Sequence, residues 1–436
     1  MTTTTLSPFP TRVQVEVGQL SQLNRLIDEI VPNNAFYTAK LKTCGLEGGV
    51  GSLQEFFEKM PFTTKAELIQ DQEDHPHYGT NLTYPPEKYV RLCRTSGSTG
   101  APLRCLDTRE SWEWMVDNWC RVFSEAGIRP GDRVFFAFSF GPFLGFWTAW
   151  DAAAKNGYLC LPGGGVSSYA RILAIIENEA TVLCCTPTYA LRLAEVAREE
   201  DVDLSQAKIH TLIVAGEPGG SVPATRARIE KAWGARVFDH HGMTEIGPVS
   251  YECPDRAGTL RVIESSYIAE VLDGETHQAV APGERGELIL TSLGRAALPL
   301  LRYRTGDIVE LGPKEPDSRG CHDLALIGGI IGRTDDMVPI RGVNVSPSVV
   351  ENVMHSVSGV ADYRAEISEE RGLLVMKIKV EPTPDCEDIE HLVGGLQKEF
   401  HHTFSLRIPI DVVEPGSLPR FEMKHKRWVR LDKEAS

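Results

Sequence analysis

The stretch ATVLCCTPTYAL, residues 180–191, decides the fold class because a short buried strand runs straight into a helix. The run TVLCC at 181–185 is apolar and predicts a strand. Pro187 suits the first turn of a helix, which we expect to continue through Arg198. A strand followed at once by a helix is the repeating unit of α/β proteins.

The same alternation continues on both sides of this stretch. RVFFAF at 133–138, TLIV at 211–214 and RVF at 236–238 predict further strands, and residues 170–179 predict a helix. The two later strands run straight into glycine or histidine. Because ligands of open α/β sheets bind at the carboxyl ends of strands, we expect a ligand site there.

After Gly258 the pattern changes to strands separated by turns, at 268–272, 286–291 and 308–311. Such spacing is typical of a more antiparallel subdomain.

A second domain is indicated near the C-terminus. Residues 312–323 are rich in proline, glycine and charge, and a self-contained pattern of strands and helices follows from about Gly332. We predict an α/β protein with a large N-terminal domain of packed mixed sheets and helices, residues 1–331. A small mobile α+β C-terminal domain, residues 332–436, would be hinged near 332–336.

The overall charge and the cysteines limit the function classes. The formal net charge of −15 over 436 residues argues against nucleic-acid or anionic-membrane partners, which select basic surfaces. The ten cysteines are scattered and lack the regular spacing of a disulfide framework. The Thr-rich start has no basic and apolar signal segment, so we expect a cytoplasmic protein with reduced thiols.

Five segments carry candidate chemistry, and the first is RTSGSTGAP at 94–102. Exposed backbone N–H groups and small hydroxyls suit a polyphosphate, although a plain Ser/Gly turn has about equal weight. It is not a Walker loop, because Ala101 follows Gly100 where that motif has lysine.

The second and third segments each contain an acidic residue beside a predicted strand. HHGMTEIGP at 240–248 offers Thr244 to a phosphate and Glu245 to Mg²⁺, and the alternative is a helix capped by Thr244. YRTGDIV at 303–309 offers Asp307 to two vicinal hydroxyls such as those of ribose, and the alternative is a turn aspartate.

The last two segments lie in the C-terminal part. GRTDDMVPIRGVNVSPSVVE at 332–351 indicates a hinge and loop by its composition. LPRFEMKHK at 418–426 holds lysines that suit either a phosphoryl oxygen or simple solvation.

Together and in this order, the five segments resemble the core motifs of the adenylate-forming superfamily of acyl-CoA synthetases and adenylation domains. The resemblance is closest to phenylacetate-CoA ligases, through 332–351, LLRYRTGDIV at 300–309 and ATVLCCTPTYAL, and it extends from about residue 56 to 430. It implies that a carboxylic acid is activated with ATP and Mg²⁺ to an acyl-AMP and passed to coenzyme A.

The resemblance also implies roles for individual residues. Lys424, Thr244 and Glu245 would be catalytic, with Glu245 holding Mg²⁺, and Asp335 would be the pivot of the C-terminal domain. Nucleotide contacts would come from Thr95, Ser96, Gly97, Ser98, Thr99, Gly100, Gly216, Glu217, Pro218, His240, His241, Gly242, Met243, Asp307, Arg333 and Asp335.

The resemblance places the acid beside the loop that follows residues 133–138. Ser139, Phe140, Phe143, Ala215 and Pro248 would line this pocket, and Phe146 would add to its wall. Aromatic walls favour an aryl acid over an amino acid, whose ammonium needs a carboxylate partner. The alternative is that these phenylalanines belong to the core.

The sequence departs from the family pattern at several positions. Ala101 replaces a lysine of the phosphate loop, for which Arg104 is the candidate substitute, and His241 replaces an adenine-stacking tyrosine. We expect weaker nucleotide affinity or a pH dependence from His241.

A zinc site of some relatives is incomplete here. Cys253, Cys321 and His322 remain as candidate ligands, with Arg261 at another ligand position, and we expect no structural zinc.

Two other functions stay open at this point. One is an adenylating enzyme with an amine or carrier-protein acceptor, and the other is a non-catalytic nucleotide-binding relative. Retention of Glu245, Asp307 and Lys424 argues against the second. A homodimer is compatible with either function.

Overall fold

A computed structural model describes residues 9–95, 102–334, 338–341, 343–345, 347–370, 373–384, 386, 388–418 and 427–431. Within these ranges, no helix has both the length and the apolar character needed to cross a membrane.

The helices of the described residues are α1 Arg12–Ile30, α2 Ala35–Cys44, α3 Leu53–Lys59, α4 Lys65–Asp74, α5 Arg109–Glu125, α6 Leu144–Lys155, α7 Ser168–Glu177, α8 Pro187–Glu199, α9 Pro223–Trp233, α10 Pro347–Ser356 and α11 Ile389–Phe404. The strands are β1 Tyr89–Arg94, β2 Arg104–Thr108, β3 Arg133–Phe136, β4 Leu159–Pro162, β5 Val182–Cys185, β6 Thr211–Ala215, β7 Arg236–His240, β8 Gly242–Met243, β9 Gly247–Pro248, β10 Ser250–Glu252, β11 Thr259–Val262, β12 Tyr267–Leu272, β13 Arg285–Ser292, β14 Tyr303–Leu311, β15 Ala325–Arg333, β16 Val338–Ile340, β17 Val343–Val345, β18 Val360–Glu370, β19 Leu373–Pro382, β20 Ile410–Val412 and β21 Trp428–Arg430.

The predicted α/β core is a five-stranded parallel sheet with the strand order β4-β3-β5-β6-β7. Every residue of β5 is buried, as expected for a strand covered on both faces. Thr186 caps α8 by accepting from the Tyr189 amide, and Pro187 occupies the first turn. The predicted strands and helices of this region are confirmed, with shifts of a few residues at their ends.

The predicted antiparallel subdomain is a six-stranded sheet with the order β10-β11-β15-β14-β13-β12. Its strand β14 begins at Tyr303, earlier than the predicted 308–311, so Asp307 lies inside a strand and not at the start of one. Gly306 adopts φ +76, a backbone conformation that glycine accepts without strain.

The first helices pack onto this second sheet. Arg302, which precedes β14, donates to the carbonyls of Phe57 and Met60, and Thr63 pairs with Tyr303 as an isolated bridge. These contacts bring the start of α4, and with it Lys65, to the N-terminal end of β14.

The smaller C-terminal domain has its own sheet and core. Its sheet follows the order β17-β16-β19-β18-β21, with β20 beside β19, and its core includes Val350, Met354 and Phe400. The fold class is as predicted, whereas the boundary at residue 332 stays a prediction.

Candidate active site

The segment HHGMTEIGP leads from the parallel sheet into a small hairpin. Strands β8 and β9 pair, and Thr244, Glu245 and Ile246 form the turn between them. The structure has no helix here for Thr244 to cap, so that alternative is wrong.

Strand β14 holds this hairpin at two points. The Tyr303 hydroxyl donates to Oε1 of Glu245 at 3.0 Å, and Oδ2 of Asp307 lies 2.9 Å from Nε2 of His241. Both contacts come from β14, whose pairing with β13 is irregular between Arg304 and Ile308. Glu245 and Asp307 therefore both lie at the contact between β14 and the hairpin.

Asp307 also binds the end of the next strand. Nη1 of Arg333 donates to Oδ1 of Asp307 at 2.9 Å, so both carboxylate oxygens have partners. The Thr334 amide donates to the Gly306 carbonyl at 2.7 Å, and a Cβ at Gly306 would lie 3.1 Å from the Arg333 guanidinium. Glycine at this position therefore allows Arg333 to approach Asp307 closely.

Glu245 faces a lysine from the first turn of α4. Nζ of Lys65 is 3.3 Å from Oε1 of Glu245, whose side chain is only 7% exposed. Burial, and then the Glu245 carboxylate, raise the pKa of Tyr303 well above its ordinary value, so the phenol stays a donor.

A narrow cleft opens beside Glu245. Its lining includes Asp71 and Gln72 of α4, and Leu103 and Arg104 next to the phosphate loop. Nη1 of Arg104 donates to the His77 carbonyl at 3.0 Å, so its guanidinium is engaged at the rim of α4. Lys65, and not Arg104, is therefore the basic side chain in contact with Glu245.

A buried ion pair lies beneath the Thr244–Glu245 turn. Arg295 and Asp107 have side-chain exposures of 0% and are joined by two hydrogen bonds of 2.7 and 2.6 Å. The same guanidinium donates to the carbonyls of Thr244 and Glu245 at 3.0 and 2.8 Å. The turn backbone is therefore fixed by a bidentate charged pair, which gives geometric precision.

The loop after β6 is the predicted strand-end loop AGEPGG. Gly216 adopts φ +94, and Oε1 of Glu217 accepts from the Thr188 amide at 2.8 Å at the start of α8. Gly220 lies so close to the neighbouring strand that a Cβ would meet the Asp239 carboxylate at 2.5 Å. Contacts to β7 and α8 thus fix the course of this loop, and Gly216 and Pro218 remain exposed.

His240, a predicted nucleotide contact, turns its ring into the core. Its Nδ1 lies 2.6 Å from the Ser250 carbonyl, and its ring packs on Trp119 with centroids 4.2 Å apart. Burial lowers its pKa to about 3, so the imidazole is neutral. Any contribution of His240 to nucleotide binding would come from its backbone.

The base of the phosphate loop is closed by Thr95. Its amide donates to the Leu103 carbonyl, and its hydroxyl accepts from the Leu103 amide at 3.0 Å. Ala101 and the predicted contacts Ser96, Gly97, Ser98, Thr99 and Gly100 lie outside the described residues.

The loop 137–143, from which the acid pocket is predicted, contacts the phosphate loop. The Pro142 carbonyl accepts from the Arg94 amide at 2.7 Å, and Nε1 of Trp147 donates to the Gly141 carbonyl. The acid side and the phosphate side of the site are therefore neighbours.

The aromatic residues of this region divide into core and exposed parts. Phe146 stacks on Phe138 with centroids 3.5 Å apart, and Phe140 packs against Trp147 at 4.8 Å. Phe143 is half-buried and Ser139 is exposed, whereas Pro248 is buried. Phe140 and Phe146 thus serve partly as core, and Phe143 is the aromatic ring most available to a ligand.

The candidate zinc residues do not form one cluster. Sγ of Cys253 is 2.9 Å from Asp255, whereas Sγ of Cys321 lies 3.3 Å from the Tyr251 hydroxyl. Cys253, Asp255 and Asp317 do lie within 4.8 Å of one another through their ligand atoms. Nε of Arg261 is 3.5 Å from Asp317, and a guanidinium beside these ligands opposes a metal cation.

Two further predicted residues fall in the same category. Lys424 and Asp335 both lie outside the described residues.

Sequence reasoning missed four residues of the site, namely Lys65, Asp107, Arg295 and Tyr303. Tyr303 lies before the predicted strand 308–311, so the sequence did not place it on the same strand as Asp307. Lys65, Asp107 and Arg295 come from distant segments that only the fold brings together.

Two family models match the chain. The model described as AMP-binding enzyme matches residues 39–296, and the model described as AMP-binding enzyme C-terminal domain matches residues 342–431.

Two curated relatives are similar over most of their length. The phenylacetate-coenzyme A ligase of Aromatoleum evansii is 30% identical over 385 residues, which are 85% of this chain and 84% of the relative. That of Pseudomonas putida is 28% identical over 414 residues, with 93% and 92% covered.

A solved structure is similar in fold and domain arrangement. The 2-hydroxyisobutyryl-CoA ligase in its postadenylation state with 2-HIB-AMP superposes with a TM-score of 0.91 at 26% identity, covering 97% of this chain and 91% of that one. The same ligase in its thioesterification state gives a TM-score of 0.73 at 27% identity, with the same coverage. The two domains here are therefore arranged more like the postadenylation state.

Proposed function

The chain belongs to the AMP-binding enzyme family, and we propose that its acid-activating site is built around Glu245 and Asp307. The protein is an AMP-forming acid–thiol ligase, which activates a carboxylic acid as an acyl-adenylate and transfers the acyl group to coenzyme A. One observation supports the assignment of the site: β14 contacts Glu245 through Tyr303 and His241 through Asp307.

The residues present fit a magnesium–nucleotide. Glu245 is a hard oxygen ligand, and Mg²⁺ is commonly held by one or two carboxylates together with substrate phosphates. Lys65, 3.3 Å from Glu245, would have to leave this carboxylate for a phosphate oxygen when Mg²⁺ binds. When bound, Mg²⁺ would neutralise charge on the phosphates.

The remaining chemistry falls to residues of the chain. A carboxylate oxygen of the acid attacks the α-phosphorus of ATP, the bond to the bridging oxygen breaks, and pyrophosphate leaves. Thr244 would contact the α-phosphate, and Lys65 and the phosphate loop would hold the departing phosphates. Asp307 and Arg333 would position the ribose, and the loop containing Gly216 would lie beside the base.

We assign Lys424 the charge that stabilises the crowded phosphorus in the first step, as the resemblance implies. Rotation of the C-terminal domain about Asp335 would then remove this lysine and admit the thiol of coenzyme A. The thiol sulfur attacks the acyl carbon, AMP leaves and the thioester forms.

We place the acid next to Phe143 and assign it to the aryl class, as in phenylacetate. The half-buried Phe143 ring and the exposed Ser139 stand at the end of β3, beside the base of the phosphate loop. A flat ring would pack on Phe143, and its carboxylate would point toward the Thr244 turn.

The cellular setting and the assembly are further parts of this proposal. All ten cysteines are free thiols, which supports a reducing compartment such as the cytoplasm.

Residues 1–331 would form the AMP-binding domain and 332–436 the domain carrying Lys424. Light scattering during gel filtration tests for a homodimer.

An ATP–pyrophosphate exchange assay with a panel of acids tests the assignment. We expect exchange with phenylacetate or benzoate analogues, and AMP release that rises when coenzyme A is added. Strong exchange with α-amino acids alone would overturn the aryl class. AMP release stimulated by an amine or a carrier-protein thiol, and not by coenzyme A, would overturn the acceptor.

A further inference from the structure

The two domains are joined by a hydrogen bond between helices α9 and α10. Nη1 of Arg228, on α9, lies 3.1 Å from Nδ1 of His355, on α10. A guanidinium only donates, so Nδ1 must be the unprotonated, accepting nitrogen. Nε2 then carries the proton, and it lies 2.7 Å from Oε1 of Glu351.

Glu351 connects this contact to the end of the chain. Arg427 donates to both of its oxygens at 2.7 and 2.9 Å, and the Tyr363 hydroxyl donates at 2.7 Å. Although burial opposes ionisation, Arg427 and these hydrogen bonds lower the pKa of Glu351 to about 2. The Glu351 carboxylate, which accepts from His355, is therefore ionised at neutral pH.

Arg427 begins the last described segment of the chain, residues 427–431. It immediately precedes β21 and follows Lys424 by three positions in the sequence. The Glu217 carboxylate, in the loop after β6, also contributes to the raised pKa of Arg427. The network thus extends from α9 of one domain to the strand that follows the lysine segment of the other.

Arg228 needs this partner more than a surface arginine would. It is half-buried, and burial lowers its pKa, although the carboxylates of Glu195 and Glu351 act in the opposite direction. A neutral imidazole nevertheless binds it less tightly than a carboxylate would. Such a contact suits an arrangement that must be broken once in each catalytic cycle.

We infer that Arg228 and His355 are positioning residues that hold the C-terminal domain in the acyl-adenylate-forming arrangement. The inference rests on the proposed two-step function, and the domain arrangement similar to the postadenylation state supports it. A rotation of one domain against the other must break contacts between them, so this bond opens before thioester formation.

The first test separates the two half-reactions in Arg228→Met and His355→Leu. Each variant should lower acid-dependent ATP–pyrophosphate exchange about 5-fold, as expected for one lost hydrogen bond. Single-turnover transfer from preformed acyl-adenylate to coenzyme A should stay the same or become faster. Lys231→Met, an exposed change on the same helix, is the matched control and should leave both rates unchanged.

Coupling between the two residues makes the test specific. The double variant should be no slower in exchange than His355→Leu alone, because His355→Leu already removes the bond that Arg228→Met removes. His355→Gln keeps an acceptor for Arg228 and a donor for Glu351, so it should restore most of the exchange rate. If Arg228→Met lowers the melting temperature, the test relies instead on the difference in exchange rate between His355→Leu and His355→Gln.

Additive losses, equal losses in both half-reactions, or unchanged exchange would each overturn the inference. Failure of the proposed function is a separate outcome, because the unmodified protein would then show no exchange with any acid.

Discussion

The nucleotide side and the acid side of the site are held by different kinds of contact. Glu245, Asp307 and the turn between β8 and β9 are fixed by directed hydrogen bonds and by the buried Arg295–Asp107 pair. The loop 137–143 rests mainly on aromatic packing and on hydrogen bonds of its own backbone.

This difference suggests that the nucleotide side determines the rate of the reaction and the acid side determines which acids are accepted. Charged groups must be placed accurately to stabilise a developing charge, and a directed network supplies that accuracy. Aromatic packing tolerates changes in shape more readily, because dispersion contacts have little directional preference. Changes on the nucleotide side should therefore affect every acid, and changes on the acid side should alter the preference among acids.

Glu245→Gln should have the largest effect and should affect all acids equally. Loss of the carboxylate removes the proposed Mg²⁺ ligand, and we expect exchange to fall about 10²–10³-fold. Glu275→Gln, at an exposed turn, is the control and should retain full activity. A loss confined to some acids would contradict the division between the two sides.

Lys65→Met should have the next largest effect. A missing charge-assisted bond to phosphate should lower kcat/KM for MgATP about 10-fold for every acid. Lys59→Met, an exposed change on α3, is the matched control. Unchanged kinetics with ATP would show that Lys65 does not bind a phosphate and only pairs with Glu245.

Phe143→Ala, on the acid side, should affect some acids much more than others. We expect about a 10-fold loss of kcat/KM for aryl acids, little loss for short aliphatic acids, and an unchanged KM for ATP. The ratio between an aryl and an aliphatic acid, measured by exchange, is the relevant quantity. A uniform loss for all acids would mean that Phe143 is part of the core.

His241→Tyr should have the smallest effect. A larger aromatic face at this position should lower the KM for ATP about 3-fold. Steady-state kinetics with varied ATP provide the measurement. A raised KM would show that the bond from His241 to Asp307 outweighs stacking.

Much of the fold could be predicted because the parallel strands are short apolar runs with clear boundaries. The run 181–185 became β5, and Pro187 began α8 as expected. The extent of β14 could not be predicted, because Arg302, Tyr303 and Arg304 are stabilised by partners far away in sequence.

Candidate site residues could be proposed where they lie on one local motif. Thr244, Glu245 and Asp307 were chosen from strand ends, a glycine turn and the family resemblance, and their roles stay predictions. The role of the His240 ring depends on the packing of Trp119, and the position of Lys65 depends on how α4 meets β14. Contacts of that kind are set by tertiary structure and leave no pattern in neighbouring residues.

The most direct measurement follows the products of ATP labelled in its α-phosphate, with phenylacetate and Mg²⁺ and without coenzyme A. We predict an enzyme-bound acyl-adenylate close to one per protein, with pyrophosphate released, and its conversion to AMP and phenylacetyl-CoA when coenzyme A is added. Formation of ADP, or equal acyl-adenylate formation by Glu245→Gln, would contradict this account.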